Sequence, residues 1–350
     1  MSERTASIRD VADLAGVAVS SVSRVLAEHP DVSAAMRARV LAAVAETGYR
    51  PNSLAQGLRS GRSMSIGLVV GDISNPLLAE ISLAAERCLS PSGYTVLIAN
   101  SQGDASREVA NIGMFHQRQV DGLLLSTSNE DNPALRDAVA SFPQPVVLLD
   151  REIAGLDVPS TRFDHARGFS QAVRHLAALG HRHLALIAGT EDIRPTRERV
   201  QAVVDTCHEL GLPDPRVRTG SFQRSEGSAA VHELFRDGER PSALICGGNQ
   251  LLAGVIEAIR TLGLTVPGDL SLVTTDHSDV ARLHSPAISA VVRDAAAFGT
   301  AAADLLLSQI GGQESGTVEL PTDFSPAASC AEPPRPSNGT PRPPRRKPVT

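Results

Sequence analysis

From residue 66 onward, short apolar runs alternate with longer stretches of helical spacing, and this alternation constrains the fold more than any other feature of the chain. The runs cover 66–70, 95–99, 122–125, 146–149, 184–188, 243–246, 271–274 and 288–292. Between most of them lie amphipathic stretches such as 77–89, 166–179 and 251–262, with apolar residues at helical periodicity. Strand alternating with helix means parallel sheets covered on both faces. Eight or more strands in about 260 residues predict two lobes rather than one wide sheet.

The amino-terminal segment has a different pattern. Ile8, Val11, Ala12 and Ala15 share one helical face, Gly16 allows a tight corner, and Val22, Val25 and Leu26 form a second stripe. Ser20, Ser21, Ser23 and Arg24 point elsewhere. This is a helix-turn-helix pattern, whose second helix enters the major groove of DNA. Val11, Leu14, Val22, Val25 and Leu26 are expected in the core of this head. A third helix is expected from an N-cap at Ser33, through Met36, Val40 and Val44, to Gly48. The predicted organisation is a helix-turn-helix head at 1–48, a hinge and linker at 49–63, a two-lobed core at 64–325 and a tail at 326–350. The tail has eight prolines and five basic residues without apolar periodicity; it is expected to be disordered. It also lacks leucine heptads for a coiled coil.

Charge is distributed to match. The chain carries −6, of which residues 1–62 hold +2 and residues 326–350 hold +4, leaving −12 on 63–325. An acidic core keeps itself off DNA and leaves contact to a head whose small charge calls for a second copy. No apolar run approaches the roughly 18 residues that span a bilayer, and the start shows no secretory signal. The four cysteines lie far apart, as expected of reduced thiols in a cytoplasmic protein. No Gly-x-Gly-x-x-Gly, Walker loop or Gly-x-Ser-x-Gly is present. An enzyme, a metal or a cofactor is therefore not expected. His181 and His183 follow a helix end and are expected to cap it.

Several segments resemble the lactose-repressor (LacI/GalR) family. They are Asp10-Val-Ala-Asp-Leu-Ala-Gly-Val17, Val22-Ser-Arg-Val-Leu26, Gly48-Tyr-Arg-Pro-Asn52 and Leu54-Ala-Gln-Gly-Leu58 in the head and hinge. In the core they are Ile66-Gly-Leu-Val-Val70, Asp72-Ile-Ser-Asn-Pro76, Val120-Asp-Gly122, Leu179-Gly-His181 and Val266-Pro-Gly-Asp269. The match runs over about residues 7–325 in order. The resemblance implies an all-α DNA-binding head, a hinge helix and an α/β core of two doubly wound lobes like a periplasmic sugar-binding protein, crossed three times by the chain. It implies a repressor: a homodimer on a pseudo-palindromic operator, controlled by a small polar effector, a sugar or sugar derivative, in the interlobe cleft. The alternative is a DNA-binding regulator controlled by a partner protein, with no small-molecule effector.

The resemblance also assigns positions. Val19 and Ser20 match base-reading residues, Val19 suiting a thymine methyl. Arg24 either bridges guanine O6 and N7 or clamps a phosphate. Ala18 stands where the family usually carries a capping hydroxyl, a loss of about 1 kcal/mol unless Ser20 or Ser21 compensates. Asn52, Ala55 and Leu58 complete the DNA-facing set. Leu58 matches a hinge leucine that wedges into the central base step or packs on its dimer mate. Gly57 weakens the hinge helix, which is expected to fold only on DNA. In the cleft, Arg199 occupies the ligand-contacting arginine within Thr196-Arg-Glu-Arg199, with Arg197 beside it. Asn249 and Asp276 match contacting residues, Asp150 ends a strand, Phe163 and Phe222 match lining aromatics, and Ser74 and Asn75 lie on the lip. Phe163 has a plain core role as its alternative, and Arg199 an ion pair with Asp276. The chain departs from the family at Ala202-Val203, Gln250, His277 and Asp294-Ala295.

Overall fold

The computed structural model describes residues 6–26, 29–49, 62–236, 240–313 and 316–334. Two compact units divide between Met64 and Ser65. The expected hinge positions Asn52, Ala55, Gly57 and Leu58 lie outside the described residues.

The head holds helices α1 (Ile8–Ala15), α2 (Val19–Leu26) and α3 (Ala34–Thr47). Ser7 and Asp10 form a capping box at the start of α1, the Asp10 carboxylate accepting from the Ser7 N–H at 2.7 Å, a motif that satisfies two orphan donors. Gly16 ends α1 with φ 61°, a left-handed corner that glycine makes without a Cβ penalty. Arg39 donates to the Gly16 carbonyl at 3.2 Å, tying α3 to that corner. The core is Val11, Ala12, Ala15, Val22, Val25, Val40 and Ala43, with Leu26, Met36, Val44 and Tyr49 packed at its margin. Leu14, expected inside, is 48% exposed. At 100° per residue it falls off the stripe of Ile8, Val11, Ala12 and Ala15.

The second unit contains two six-stranded sheets. The first lobe uses β1 (Ser65–Val70), β2 (Thr95–Asn100), β3 (Gly122–Leu125), β4 (Val146–Leu149), β5 (Ser160–Asp164) and β11 (Val318–Pro321), in the order β11-β5-β4-β3-β1-β2. The second uses β6 (Leu184–Ala188), β7 (Arg216–Thr219), β8 (Ala243–Cys246), β9 (Ser271–Thr275), β10 (Ser289–Val292) and β12 (Asp323–Ser325), in the equivalent order β12-β10-β9-β8-β6-β7. Every pairing is parallel except β10 with β12. The central strands are buried throughout, as helices on both faces require. Helices α4 (Pro76–Leu89), α5 (Ala105–Gln117), α6 (Pro133–Ala140) and α12 (Ala295–Ile310) serve the first lobe; α7 (His165–Ala178), α8 (Arg194–Glu209), α9 (Arg224–Arg236), α10 (Leu252–Thr261) and α11 (Asp279–Leu283) serve the second.

The chain crosses between lobes three times: after β5, after β10 and between β11 and β12. Thr322 stitches two crossings together. Its Oγ1 donates to the Asp164 carbonyl at 2.7 Å and accepts from the Gly168 N–H at 3.0 Å. A Cβ at Gly168 would sit 2.5 Å from that hydroxyl, so only glycine fits there.

All eight expected apolar runs are strands, while β5, β7, β11 and β12 were not expected. β7, β11 and β12 are short edge strands, such as Arg216-Val-Arg-Thr219, and β5, Ser160-Thr-Arg-Phe-Asp164, is an interior strand of mostly polar residues, so none has an apolar run to announce it. The start of the tail also needs correcting. Residues 326–334 pack on the second lobe: the Ser329 hydroxyl donates to the Leu272 carbonyl at 2.6 Å, and the Ala331 N–H to Ser271 Oγ at 3.0 Å. Hydrogen bonding to the first residues of an interior strand, β9, leaves no periodic signature. His181 does not cap a helix with its ring. It is buried between Ser242 at 2.8 Å, Ser271 at 3.0 Å and the Ala331 carbonyl at 2.8 Å.

Candidate functional site

On the head, the packing of Val22 and Val25 turns the opposite face of α2 outward, leaving Ser20 and Arg24 exposed. Val19 is half-buried against the head core and Ser21 is half-buried. The Ala18 carbonyl opens the helix, accepting from the Ser21 N–H at 2.9 Å and the Val22 N–H at 3.2 Å. The Arg24 backbone is held from the far side, its carbonyl accepting from the His29 N–H at 3.0 Å.

In the core, the two lobes bring charged side chains together at the carboxyl ends of their strands, where open α/β sheets place ligands. Asp150 follows β4 and Asp276 follows β9, at equivalent stations in the two sheet orders. Both adopt positive φ, 56° and 59°, a conformation that costs a non-glycine residue energy and clusters at functional sites. Each is held by groups at a crossing. Asp150 accepts from the Phe163 N–H at 3.1 Å and from His165 Nε2 at 2.9 Å, with Arg194 3.7 Å away. Burial opposes its ionisation, but His165, Arg194 and Arg151 hold the carboxyl well below its usual range. Asp276 takes a two-pronged ion pair from Arg293, one limb at 3.0 Å. The pair with Arg199 weighed from the sequence does not form; Arg293, close behind β10, takes that place.

Arg199 is buried on α8. It donates from Nε to His165 Nδ1 at 3.3 Å and from Nη1 to the Gly247 carbonyl at 2.7 Å, over the ring of Phe169. Burial, with Arg293 nearby, pulls its pKa down to about 9. Phe222 presses its ring on Gly189 and Gly248; a Cβ at Gly189 would lie 2.0 Å from it. Phe163 is a core ring, fully buried and stacked on Phe298 with centroids 4.3 Å apart. It reaches the cluster through its backbone carbonyl, which accepts from Arg194 Nη2 at 3.0 Å.

Two polar clasps join the lobes. On one lip Asn249 donates to Asn75 Oδ1 at 2.9 Å and Gln250 to Asp72 Oδ2 at 2.6 Å. Ser74 sits beside them, its hydroxyl donating to Asp72 at 2.7 Å. Gln250 therefore presents a donor to Asp72, which a carboxylate at this position would repel. On the other side the buried Glu130 accepts from the Arg194 N–H and from Arg197, both at 2.7 Å. Helix α8 has no side-chain cap of its own, so a carboxylate of the opposite lobe stabilises its amino terminus. Burial raises the Glu130 pKa against the pull of Arg151 and Arg197.

Sequence reasoning missed Glu130, Arg151, His165, Arg194 and Arg293. Only Arg151 had a local signal, its adjacency to Asp150. The others meet through the crossings, which no spacing encodes. His277 turns away to Ser325 at 3.2 Å, and Asp294 caps α12. Among the described residues no group of acidic, histidine or cysteine side chains is arranged to hold a metal, and all four cysteines are free.

Comparison with known proteins places these features. Residues 7–52 match the bacterial regulatory proteins of the lacI family, and residues 173–330 match the periplasmic binding protein-like domain. Catabolite control protein A of Priestia megaterium is 30% identical over 319 residues, covering 90% of this chain and 96% of its own. The ribose operon repressor of Escherichia coli K12 is 30% identical over 308 residues, covering 87% and 93%. A crystal structure of the lac repressor dimer, bound to operator and the anti-inducer ONPF, superposes with a TM-score of 0.85 at 25% identity, over 94% of this chain and 100% of that one. With a helix-turn-helix head, two lobes crossed three times and charged side chains gathered where they meet, the chain belongs to the LacI family of DNA-binding transcription regulators.

Proposed function

We propose that the protein is a homodimeric repressor that places α2 in the major groove of a pseudo-palindromic operator and binds a small polar effector, a carbohydrate or a derivative, between the lobes of its core. One observation carries this: a self-contained head with Ser20 and Arg24 facing outward is joined, in one chain, to a core in which buried charged residues of both lobes meet at the strand ends. The relatives, a ribose operon repressor and a lac repressor bound to operator and an anti-inducer, support it. The assigned DNA-facing residues are Val19, Ser20, Ser21, Arg24, Asn52, Ala55 and Leu58. In the cleft, Asp150, Arg199, Phe222 and Asp276 are the ligand-facing set, Ser74, Asn75 and Asn249 form the lip, and Phe163 acts from the core behind. No catalytic role is assigned, since the relatives are regulators. A repressor works beside DNA, so the cytoplasm is its assigned compartment; among the described residues no helix is long and apolar enough to cross a membrane.

In vitro selection of bound DNA tests the operator half of this reading. The selected site is expected to be two-fold symmetric. Arg24→Ala is expected to relax one symmetric base position by about 1–3 kcal/mol and leave the others unchanged; a uniform loss at all positions would instead mark Arg24 as a phosphate contact. The core exposes Leu83, Ile98, Val280 and Leu283, the last at 85%, apolar side chains that a second copy of the chain would cover. Ile98→Asp with Leu283→Asp is expected to yield monomers by sedimentation and to weaken operator binding at least about tenfold, since one weakly charged head binds poorly alone.

A further inference from the structure

We propose that the effector carries an anionic group, a carboxylate or a phosphate, which Arg199 receives inside the cleft. The inference rests on the reading of the cleft as the effector site and adds a charge requirement to it. Most cations around the cleft already have carboxylates. Arg293 has Asp276, Arg194 has Asp150 and Glu198, and Arg197 has Glu130 and Glu152. Arg199 has none within 4.0 Å among the described residues, although it is only 3% exposed. Its two acceptors, His165 Nδ1 and the Gly247 carbonyl, are neutral.

His165 is the cause of this imbalance. Its Nε2 faces the Asp150 carboxylate at 2.9 Å, which makes that nitrogen the protonated one and leaves Nδ1 as an acceptor for Arg199. Burial keeps the ring neutral by pushing its pKa down to about 3. Asp150 therefore orients Arg199 through an imidazole without neutralising it by contact. Arg293 and Arg151 repel its charge, while Asp150 and Asp276 attract it at longer range. A buried cation without a contacting anion is costly, and a ligand anion entering the cleft would remove that cost.

The unfilled hydrogen-bonding capacity points the same way. Arg199 Nη2 has no partner among the described residues. The buried Arg194 Nε and Thr275 Oγ1 have none either. Thr275 lies two residues along β9 from Val273, on the same face, and Val273 packs in one cluster with Phe169, the ring beneath Arg199. The free N–H groups of Arg199 call for acceptor oxygens, and a guanidinium matches carboxylate and phosphate geometry. The polar clasps and the strand-end aspartates suit the hydroxyls of a polyol attached to that anion.

The test is titration calorimetry of the full chain at constant ionic strength with D-glucose, D-gluconate, D-glucose 6-phosphate and inorganic phosphate. At least one anion is expected to bind about tenfold or more tighter than D-glucose, a difference well above the scatter of such measurements. Arg199→Gln is expected to lose at least that factor, and Arg199→Lys, which keeps the charge without the planar fork, to fall between Arg199→Gln and the parent. Whether D-gluconate or D-glucose 6-phosphate binds tighter identifies the group as carboxylate or phosphate. The proposal is overturned if no anion binds, if D-glucose binds as well as the anions, or if Arg199→Gln leaves anion affinity unchanged. Binding of D-glucose that is lost in Asp276→Asn would keep the cleft as the effector site and remove only the charge requirement. An anion that binds through Arg199 but leaves operator affinity unmoved would uphold the charge requirement and remove the effector reading.

Discussion

Asp150→Ala is expected to destabilise the core by about 3–5 kcal/mol, the cost of breaking a buried ion pair on one side, and to lower its melting temperature by on the order of 10 °C. Three things are lost together. Arg194, buried and with an unpartnered Nε, keeps only Glu198 as a carboxylate, beside the Phe163 carbonyl. The Phe163 N–H and His165 lose their acceptor. A residue with φ 56° becomes alanine, which tolerates that region less well than aspartate. Asp150→Asn keeps the backbone tolerance and the Phe163 bond, so it should cost less. The same cluster makes stability depend on pH. The carboxyl of Asp150 is depressed when folded, so its contribution is complete above its unfolded value of 3.8 and is lost as pH falls below it. His165 is neutral when folded, its pKa moved from 6.5 to about 3. Acid therefore favours the unfolded chain from pH 6.5 downward, by up to about 1.4 kcal/mol per pH unit for one such group. His181, also lowered by burial, adds in the same direction. Melting curves from pH 7.5 to 4 should show a shallower slope in His165→Asn than in the parent; equal slopes would mean that the imidazole is not buried neutral.

Val22→Asp is expected to unfold the head and reduce operator binding to the level of the isolated core. Val22 is fully buried at the meeting of three short helices, and the enclosed core is seven small residues. Burying an unpaired carboxylate there costs several kcal/mol, as much as a unit of this size has in reserve. The core is a separate compact unit, so its melting transition and its ligand affinity should stay as they were. Ser20→Ala, on the exposed side of the same helix, is the matched control and should leave the head folded. Proton spectra of the head methyl groups, read beside operator affinity, separate loss of fold from loss of contact.

The repeating strand-helix architecture was legible because each central strand is buried on both faces and so must be apolar along its length, as in Leu184-Ala-Leu-Ile-Ala188. Edge strands carry no such requirement, which is why Arg216-Val-Arg-Thr219 was silent. Glycine at 16 and the stripe of Val11, Ala12 and Ala15 marked the head corner for the same local reasons. The cleft was legible only residue by residue through resemblance. Asp150 and Asp276 do stand at the strand ends, but their partners His165 and Arg293 come from segments brought back by the crossings. Phe163 shows the limit most plainly: an aromatic at a lining position turns its ring into the first lobe and stacks on Phe298, which lies 135 residues later in the chain.

The lip of paired amides has a consequence for how sensitively such a regulator responds. The bonds from Asn249 to Asn75 and from Gln250 to Asp72 exist only while the lobes are together. Each contributes about 0.5–1.5 kcal/mol, enough to shift the ratio of shut to open cores by roughly two- to tenfold. Neither bond touches the operator. Changes at position 250 would therefore move the concentration of effector at which transcription turns, while leaving the recognised sequence alone. An aspartate there, set against Asp72, would bias the resting protein open; the glutamine biases it shut. The set point of the response thus lies in a pair of residues at the rim of the cleft, adjustable by single mutations without rebuilding either end of the switch.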